Sequence, residues 1–411
     1  MVRFNPFCPG GLVPPGAFTG RVEESKALER MLFNTQHGNP QHFLLHGERG
    51  IGKSSLSYMH EFAASGQIQP WEGERFNFLT VSLLLEPSDT YISIIRKLGS
   101  TLRRSLANHN KLEARAKEVW DFLTRWEVMG VKYRELDAAV SPSELLDELA
   151  ESYSTACSRI SDTLAGILVL IDEADKPPAT ANLGALLKGL TERLTRTTPN
   201  TICFGLAGIS SVIDTIRQSH ESALRLFTSF DLRPLSREES VEVIRNGLNK
   251  SREKTSLKIR ISPEAEQFIA LYSEGYPHFI QQFAYCAFEA DKDNDIDLDD
   301  VKRGAWGEHG AFQQLGTKYF QGLYFDRIGS DDYRQVLRYM SEHLDGWVSK
   351  EDIRSHAKLK PSTLNNAIKA LRDRQIIVPQ PGQRGMYRLP TKSFAAWIRA
   401  FTNFPGSPNL E

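Results

Sequence analysis

Eight residues near the start of the chain have the types and the spacing of a loop that binds phosphate. The run GERGIGKS at residues 47–54 fits the pattern G-x-x-x-x-G-K-[ST]. Glycines let such a backbone curl until its N–H groups point at phosphate oxygens, and the following helix adds its positive end. The lysine then reaches the β- and γ-phosphates, and the next hydroxyl binds Mg²⁺. The sequence predicts an ATP and Mg²⁺ site formed by Gly47, Gly50, Gly52, Lys53, Ser54 and Ser55.

Two adjacent acids after an apolar run supply the second half of this chemistry. Asp172 and Glu173 directly follow ILVLI at residues 167–171, a pattern typical of a parallel strand buried on both faces. At its tip, Asp172 is placed to hold the Mg²⁺ shell and Glu173 to orient or deprotonate the attacking water. Acids that merely cap the next helix are the simpler interpretation. Pairing with the glycine loop favours hydrolysis of ATP to ADP and phosphate.

The elements that must position these motifs follow an α/β pattern. Apolar strands are predicted at residues 42–46, 76–84, 166–171, 201–209 and 230–235. They alternate with helical periodicity, which favours a parallel sheet. The predicted domains are an N-terminal arm (1–16), a nucleotide-binding α/β domain (17–235) with a helical insertion at about 90–160, a helical lid (236–305), a linker (306–330) and a winged helix (331–403).

Composition limits the other classes of function. The chain has 411 residues and a net charge of −1, so any nucleic-acid partner must be held by a local patch. Its four cysteines are scattered without metal-ligand spacing, as expected for reduced thiols in a cytoplasmic protein. No apolar run approaches the ~20 residues that span a bilayer. Prolines and glycines interrupt residues 1–16, so a signal peptide is not expected.

With both motifs in hand, the sequence resembles the AAA+ superfamily of P-loop ATPases. Within it, the chain is similar to the branch that holds origin-recognition ATPases and the related STAND-type signalling ATPases. Residues 18–24, FTGRVEE, resemble the F-x-G-R-x-x-E element of that branch, which implies that Gly20 and Arg21 lie against the nucleotide. The resemblance covers about residues 17–390. It also implies that the 201–209 strand lies between the P-loop strand and the Asp172 strand.

Two further site residues follow from this resemblance. Arg225, in SALRLF at 222–227, matches the family's arginine finger, which reaches the γ-phosphate of a neighbouring subunit and so implies a homo-oligomer. An ordinary surface arginine at a helix end is the alternative. His278, in GYPH at 275–278, stands where origin-recognition ATPases carry a sensor arginine. The 201–209 strand also ends without an obvious polar sensor, and both departures favour slow, switch-like hydrolysis.

The C-terminal segment carries an excess of positive charge. Residues 331–403 hold 13 Lys/Arg against 7 Asp/Glu, a net charge of +6 (13 − 7). Three helical patterns followed by two short strands around PGQRG predict a winged helix, with a recognition helix at 361–374. Docking of that helix in a major groove is the predicted mode. The predicted contacts with double-stranded DNA are Asn365, Asn366, Lys369, Arg372, Arg384 and Arg388.

Two functions remain open from the sequence. The leading one is an ATPase that oligomerises with ATP on duplex DNA and recruits or activates an unidentified protein partner. The alternative is a STAND-like signalling or defence switch whose winged helix makes protein–protein or autoinhibitory contacts. Duplex binding that weakens with salt separates them, because phosphate contacts release counterions.

Overall fold

The computed structural model describes residues 3–109, 141–196, 200–343 and 346–402. The central part of the predicted helical insertion, residues 110–140, lies outside the described residues. The chain forms two compact units. We call Leu12–Arg233 the sheet unit and Met1–Gly11 with Pro234–Glu411 the helical unit.

A five-stranded parallel sheet is the centre of the sheet unit. Its strands are β1 (His42–His46), β2 (Phe78–Leu84), β3 (Gly166–Asp172), β4 (Ile202–Gly208) and β5 (Phe227–Asp231). Their order is β2-β3-β4-β1-β5, and every neighbouring pair is parallel. The predicted α/β sheet is confirmed, with β4 between β1 and β3 as the resemblance implied. The fifth strand begins three residues earlier than predicted, because β1 offers partners only to residues 227–231.

Helices cover this sheet, and two of them begin at a side-chain cap. They are α1 (Val22–Gln36), α2 (Lys53–Ala64), α3 (Tyr91–Ala107), α4 (Pro142–Ile160), α5 (Leu183–Thr195) and α6 (Val212–Ser219). Thr90 and Ser141 each form a reciprocal capping box, which satisfies N–H groups that a helix leaves open. Strands β3 and β4 are buried almost throughout. Their apolar sequences therefore reflect cover on both faces of the sheet.

The helical unit combines the predicted lid with the predicted winged helix. Its helices are α7 (Arg237–Thr255), α8 (Pro263–Ser273), α9 (Pro277–Ala290), α10 (Leu298–Trp306), α11 (Ala311–Leu315), α12 (Asp331–Ser341), α13 (Lys350–Ala357), α14 (Pro361–Asp373) and α15 (Lys392–Phe401). Its short strands are β6 (Arg260–Ile261), β7 (Asp295–Ile296), β8 (Val348–Ser349), β9 (Val378–Pro379) and β10 (Met386–Arg388). The β6–β7 ladder and β8 were not predicted, since two residues carry no periodicity.

The segment predicted as a linker, residues 306–330, is part of the core of the helical unit. It contains α11 and two π-helical turns at Gly316–Phe320 and Gly322–Asp326. Phe312 and Tyr324 are fully buried within one apolar cluster that runs from the predicted lid to the winged helix. A side chain at Gly316 would collide with the indole of Trp397. The linker prediction is therefore corrected, because its apolar residues are packing positions.

The predicted N-terminal arm is also packed where the structure describes it. Phe7 is buried, and its ring fills the space beside Gly247 on α7. Arg3 pairs with the buried Asp291. The hydroxyl of Ser251 donates to the carbonyl of Phe4 at 2.6 Å. Residues 3–11 thus belong to the helical unit, and the chain enters the sheet unit at Leu12.

The winged helix has a three-stranded antiparallel sheet in the order β8-β10-β9. Helix α14 matches the predicted recognition helix to within one residue. Ser349 caps α13 by accepting from the N–H of Asp352 at 3.0 Å. Within the described residues, every helix is too short or too polar to cross a membrane.

Candidate phosphate-binding site

The glycine loop joins β1 to α2 at the carboxyl end of the sheet. Gly47 has φ 149°, and a Cβ there would lie 2.7 Å from the carbonyl oxygen of Leu232. Gly50 (φ 79°) and Gly52 (φ 96°) also need a left-handed backbone, and Gly52 is the N-cap of α2. No side chain caps the first turn of α2. The N–H groups of that turn are therefore left for an anion.

Lys53 is the first residue of α2 and folds over the loop. Its Nζ donates to the carbonyl oxygens of Gly47 at 3.0 Å and Glu48 at 2.8 Å. Burial lowers the pKa of Lys53, while the carboxylates of Asp172, Asp175 and Glu173 act in the opposite direction. The lysine thus lies within electrostatic reach of these acids. Ser54 and Ser55 are half-buried on the same turn.

The two predicted acids stand at the end of β3. Asp172 is its last residue, and its Oδ1 accepts the N–H of Glu173 at 2.7 Å. Glu173 takes a left-handed conformation with φ 54°. Its side chain is 43% exposed, with Oε2 3.6 Å from Nζ of Lys176. One carboxylate is therefore held at the strand tip while the next reaches solvent, which suits a metal ligand followed by a water-activating base.

Sequence reasoning missed a third acid, Asp175. Its Oδ1 accepts the N–H of Ile209 at 2.9 Å. One residue earlier, the N–H of Ala174 donates to the carbonyl of Ala207 at 2.8 Å. The sequence showed only a third acid three residues after Asp172. Its role was not visible there, because its partner, the N–H of Ile209, lies 34 residues away.

Arg21 holds the glycine loop from outside. Its side chain is almost buried, and Nη2 donates to the carbonyl oxygens of Ile51, at 3.2 Å, and Arg233. Nη1 lies 3.4 Å from a carboxylate oxygen of Glu24. Arg21 and Gly20 both have positive φ, 59° and 77°. Residues 18–24 thus contact the loop through the guanidinium group of Arg21, which stabilises the loop backbone.

Arg225 is exposed in a 3-10 helix, Glu221–Leu226, directly before the edge strand β5. Among the described residues, it has no ion pair or hydrogen-bond partner. A long cation that is free at the edge of the sheet is available to a neighbouring molecule. The surface-arginine interpretation remains compatible with the same geometry.

His278 belongs to the helical unit, on the first turn of α9. Its ring centroid lies 5.3 Å from that of Tyr319. Burial, with the nearby charge of Lys318, lowers the pKa of His278 to about 4. The imidazole is therefore neutral near pH 7, and it does not supply the positive charge of a sensor arginine.

The predicted DNA face is exposed as the helical pattern required. On α14 the apolar residues Leu364, Ile368 and Leu371 are buried. The predicted contact residues are exposed on the polar side of α14 (Asn365, Asn366, Lys369 and Arg372), in the turn between β9 and β10 (Arg384) and at the end of β10 (Arg388). The guanidinium of Arg388 stacks over the Trp347 ring, 5.0 Å from its centroid. These side chains carry positive charge and amide groups, and all six are exposed rather than held in a pocket.

The comparisons with known proteins agree with this fold. No protein-family model and no curated protein sequence matches the chain. Among solved structures, the Walker-type ATPase PABY2304 of Pyrococcus abyssi is 17% identical with a TM-score of 0.51, covering 93% of this chain and 96% of that one. The ORC2 protein of Aeropyrum pernix, in ADPNP-ADP complexes, is 15% identical with a TM-score of 0.53, covering 96% of each chain. The predicted AAA+ P-loop fold is confirmed.

Proposed function

We propose that this protein binds ATP at the loop of residues 47–54 and hydrolyses it slowly to ADP and phosphate. The observation that carries this proposal is that the glycine loop after β1 and the acids at the end of β3 lie at the same edge of one parallel sheet, on either side of β4. In this proposal Lys53 and the N–H groups of α2 hold the phosphates, and Glu173 orients or deprotonates the attacking water. The Aeropyrum pernix structure with a similar fold was solved as ADPNP-ADP complexes, which supports a nucleotide as the ligand.

The donor set at this edge of the sheet fits Mg²⁺. A hydroxyl from Ser54 and a carboxylate from Asp172 are the oxygen ligands that this cation prefers. When bound, Mg²⁺ neutralises charge that develops on the phosphate oxygens. Asp172 is fixed for this role because its other contact, with the N–H of Glu173, restrains the carboxylate.

Slow turnover follows from two properties of the chain. His278 is uncharged near pH 7, so the lid motif contributes no cation. The side chain of Glu173 has an ion-pair partner in Lys176, whose ammonium lies 3.6 Å away, and this contact competes with a bound water for the carboxylate. Both features suit a switch whose nucleotide state persists.

The leading role for this switch is a homo-oligomer that assembles with ATP on duplex DNA and recruits a protein partner. The basic surface of α14 and the β9–β10 turn supports the DNA contact, because exposed cations suit phosphate binding. Arg225 supports the oligomer as a finger for the γ-phosphate of a neighbouring subunit.

One observation favours the STAND-like alternative. The winged helix and the predicted lid share a single apolar core within the helical unit. Phe312 and Tyr324, from the segment predicted as a linker, lie in that core. The winged helix and the predicted lid are therefore packed together through this segment. A winged helix built in this way suits protein–protein or autoinhibitory contacts. DNA binding by the intact chain decides between the two roles.

A mixing experiment tests both ATP hydrolysis and the oligomer. Arg225→Ala should lower kcat by about 1000-fold, the effect of losing an arginine finger. Equimolar addition of Lys53→Ala, which keeps Arg225 but loses its own phosphate site, should restore turnover in mixed oligomers. Arg217→Ala, an exposed arginine on α6, is the matched control. Unchanged turnover in Arg225→Ala, or no restoration on mixing, contradicts the finger role.

A further inference from the structure

Two hydrogen bonds join the turn after β3 to the end of β4 and the residue that follows it. The N–H of Ala174 donates to the carbonyl of Ala207 at 2.8 Å. Two residues further along the chain, directly after the end of β4, the N–H of Ile209 donates to Oδ1 of Asp175 at 2.9 Å. The first bond uses backbone alone, and the second depends on one carboxylate. Asp175 is thus the side chain that joins this turn to β4.

The end of β4 lies between the two halves of the proposed site. Gly208 pairs with His46, the residue directly before the glycine loop. On the other side, Leu206 pairs with Ile171, the residue before Asp172. A shift of the β3 turn against β4 therefore changes the distance between the acids and the loop.

The carboxylate of Asp175 occupies the space that a side chain on β4 would need. A Cβ at Gly208 would lie 2.9 Å from Oδ1 of Asp175 and 3.0 Å from Cβ of Val212. A glycine here leaves room for the acid to reach Ile209. Because Gly208 leaves the space that the Asp175 carboxylate fills, the hydrogen bond between Asp175 and Ile209 is part of the packed fold rather than a chance surface contact.

Glu173 needs this support because its backbone is in the left-handed region, φ 54°. A non-glycine residue persists there only when its surroundings fix it. The N–H of Glu173 donates to Oδ1 of Asp172, and the carbonyl of Glu173 accepts the N–H of Lys176 at 2.9 Å. Asp175 lies within the turn that this second bond closes.

We propose that Asp175 is a positioning residue for ATP hydrolysis, since its hydrogen bond from Ile209 fixes the turn that carries Asp172 and Glu173. This proposal rests on the proposed function. Asp175 acts through the backbone N–H of Ile209, directly after β4, and its charge is secondary to its role as a hydrogen-bond acceptor. An amide oxygen in the same place should therefore replace the carboxylate.

Asp175→Asn and Asp175→Ala separate the hydrogen bond from the charge. Asparagine is isosteric and still accepts from Ile209, so kcat should stay within about threefold of the wild-type value. Alanine leaves the turn unfastened, so kcat should fall by about 10- to 100-fold, the cost of a small misplacement of catalytic groups. KM and the Kd of ATP should change little in both variants. Equal losses in both variants, or wild-type turnover with alanine, would overturn the proposal.

A second variant and a second measurement guard against simple misfolding. Gly208→Ala keeps Asp175 but forces its carboxylate away from Ile209, so it should reproduce the loss of kcat. Amide hydrogen exchange at Ile209 should be slow in the wild type and in Asp175→Asn, and faster in Asp175→Ala. Wild-type protein without ATP turnover refutes the proposed function, whereas equal Ile209 protection in all variants refutes the role of Asp175.

Discussion

The polar side chains of the phosphate site have hydrogen-bond partners that fix them, whereas the cations of the basic winged-helix surface are exposed. Lys53 bonds two loop carbonyls, and Asp172 bonds the N–H of Glu173, so each polar group is fixed by neighbours. Lys369 and Arg372 are exposed on α14, and among the residues that the structure describes only the adjacent Asp373 pairs with Arg372, at 3.2 Å. Fixed, partly buried groups suit one ligand geometry. Exposed cations on a helix suit a field that attracts phosphate in many geometries.

The largest effect is expected when the fixed group is removed. Lys53→Ala should weaken ATP binding by about 100-fold or more, because two charge-assisted hydrogen bonds to phosphate are worth about 3 kcal/mol or more. Isothermal titration calorimetry measures the change. Lys188→Ala, which removes the ion pair of a half-buried lysine on α5 with the exposed Glu192, should bind ATP as the wild type does. ATP binding by Lys53→Ala at wild-type affinity would refute the phosphate site.

Removing exposed cations should have a smaller, salt-dependent effect. Lys369→Ala/Arg372→Ala should weaken duplex binding by about tenfold at low salt and reduce the slope of log K against log [salt] by about 2. The matched control, Lys258→Ala/Lys302→Ala, removes the same charge from exposed positions elsewhere in the helical unit. Equal weakening in both double variants indicates a general charge effect. Absence of duplex binding by the wild type favours the signalling role.

The last of these effects is on stability rather than on binding, and it concerns a buried acid in the helical unit. Burial raises the pKa of Glu274 to about 7, although the backbone N–H of Lys392 donates to its carboxylate. The folded protein keeps this proton up to about pH 7, while the unfolded chain releases it near pH 4.5. Stability should therefore fall as pH rises from 4.5 to 7.

Glu274→Gln removes this charge and keeps an oxygen that accepts from Lys392. The variant should be more stable than the wild type by about 1 to 3 kcal/mol at pH 8, with little difference at pH 4.5. Urea unfolding at the two pH values measures it, with the exposed Glu253→Gln as the control. The same difference at both pH values would contradict the buried-charge explanation.

Motif and periodicity predicted the elements that carry short-range signals. The strand at 42–46 matches β1 in both bounds, and α14 was predicted because Leu364, Ile368 and Leu371 repeat at helical spacing. The place of β4 in the sheet came from the family resemblance, since no local pattern encodes strand order.

Features set by distant contacts were missed. Asp175 gains its role from Ile209, 34 residues away, and β5 takes its register from β1. Glycines at 307–329 suggested a linker, yet Phe312 and Tyr324 are core residues. Burial also removes the charge of His278, which the residue type alone does not reveal.

Comparison of ATP binding with ATP turnover in Glu173→Gln tests the central claim most directly. The glutamine keeps the size of the side chain and removes the base, so ATP should bind with wild-type affinity. Turnover in the presence of Mg²⁺ should fall by at least about 100-fold, the usual contribution of a positioned general base. Undiminished turnover would contradict the account, because Glu173 would then have no part in hydrolysis at this site.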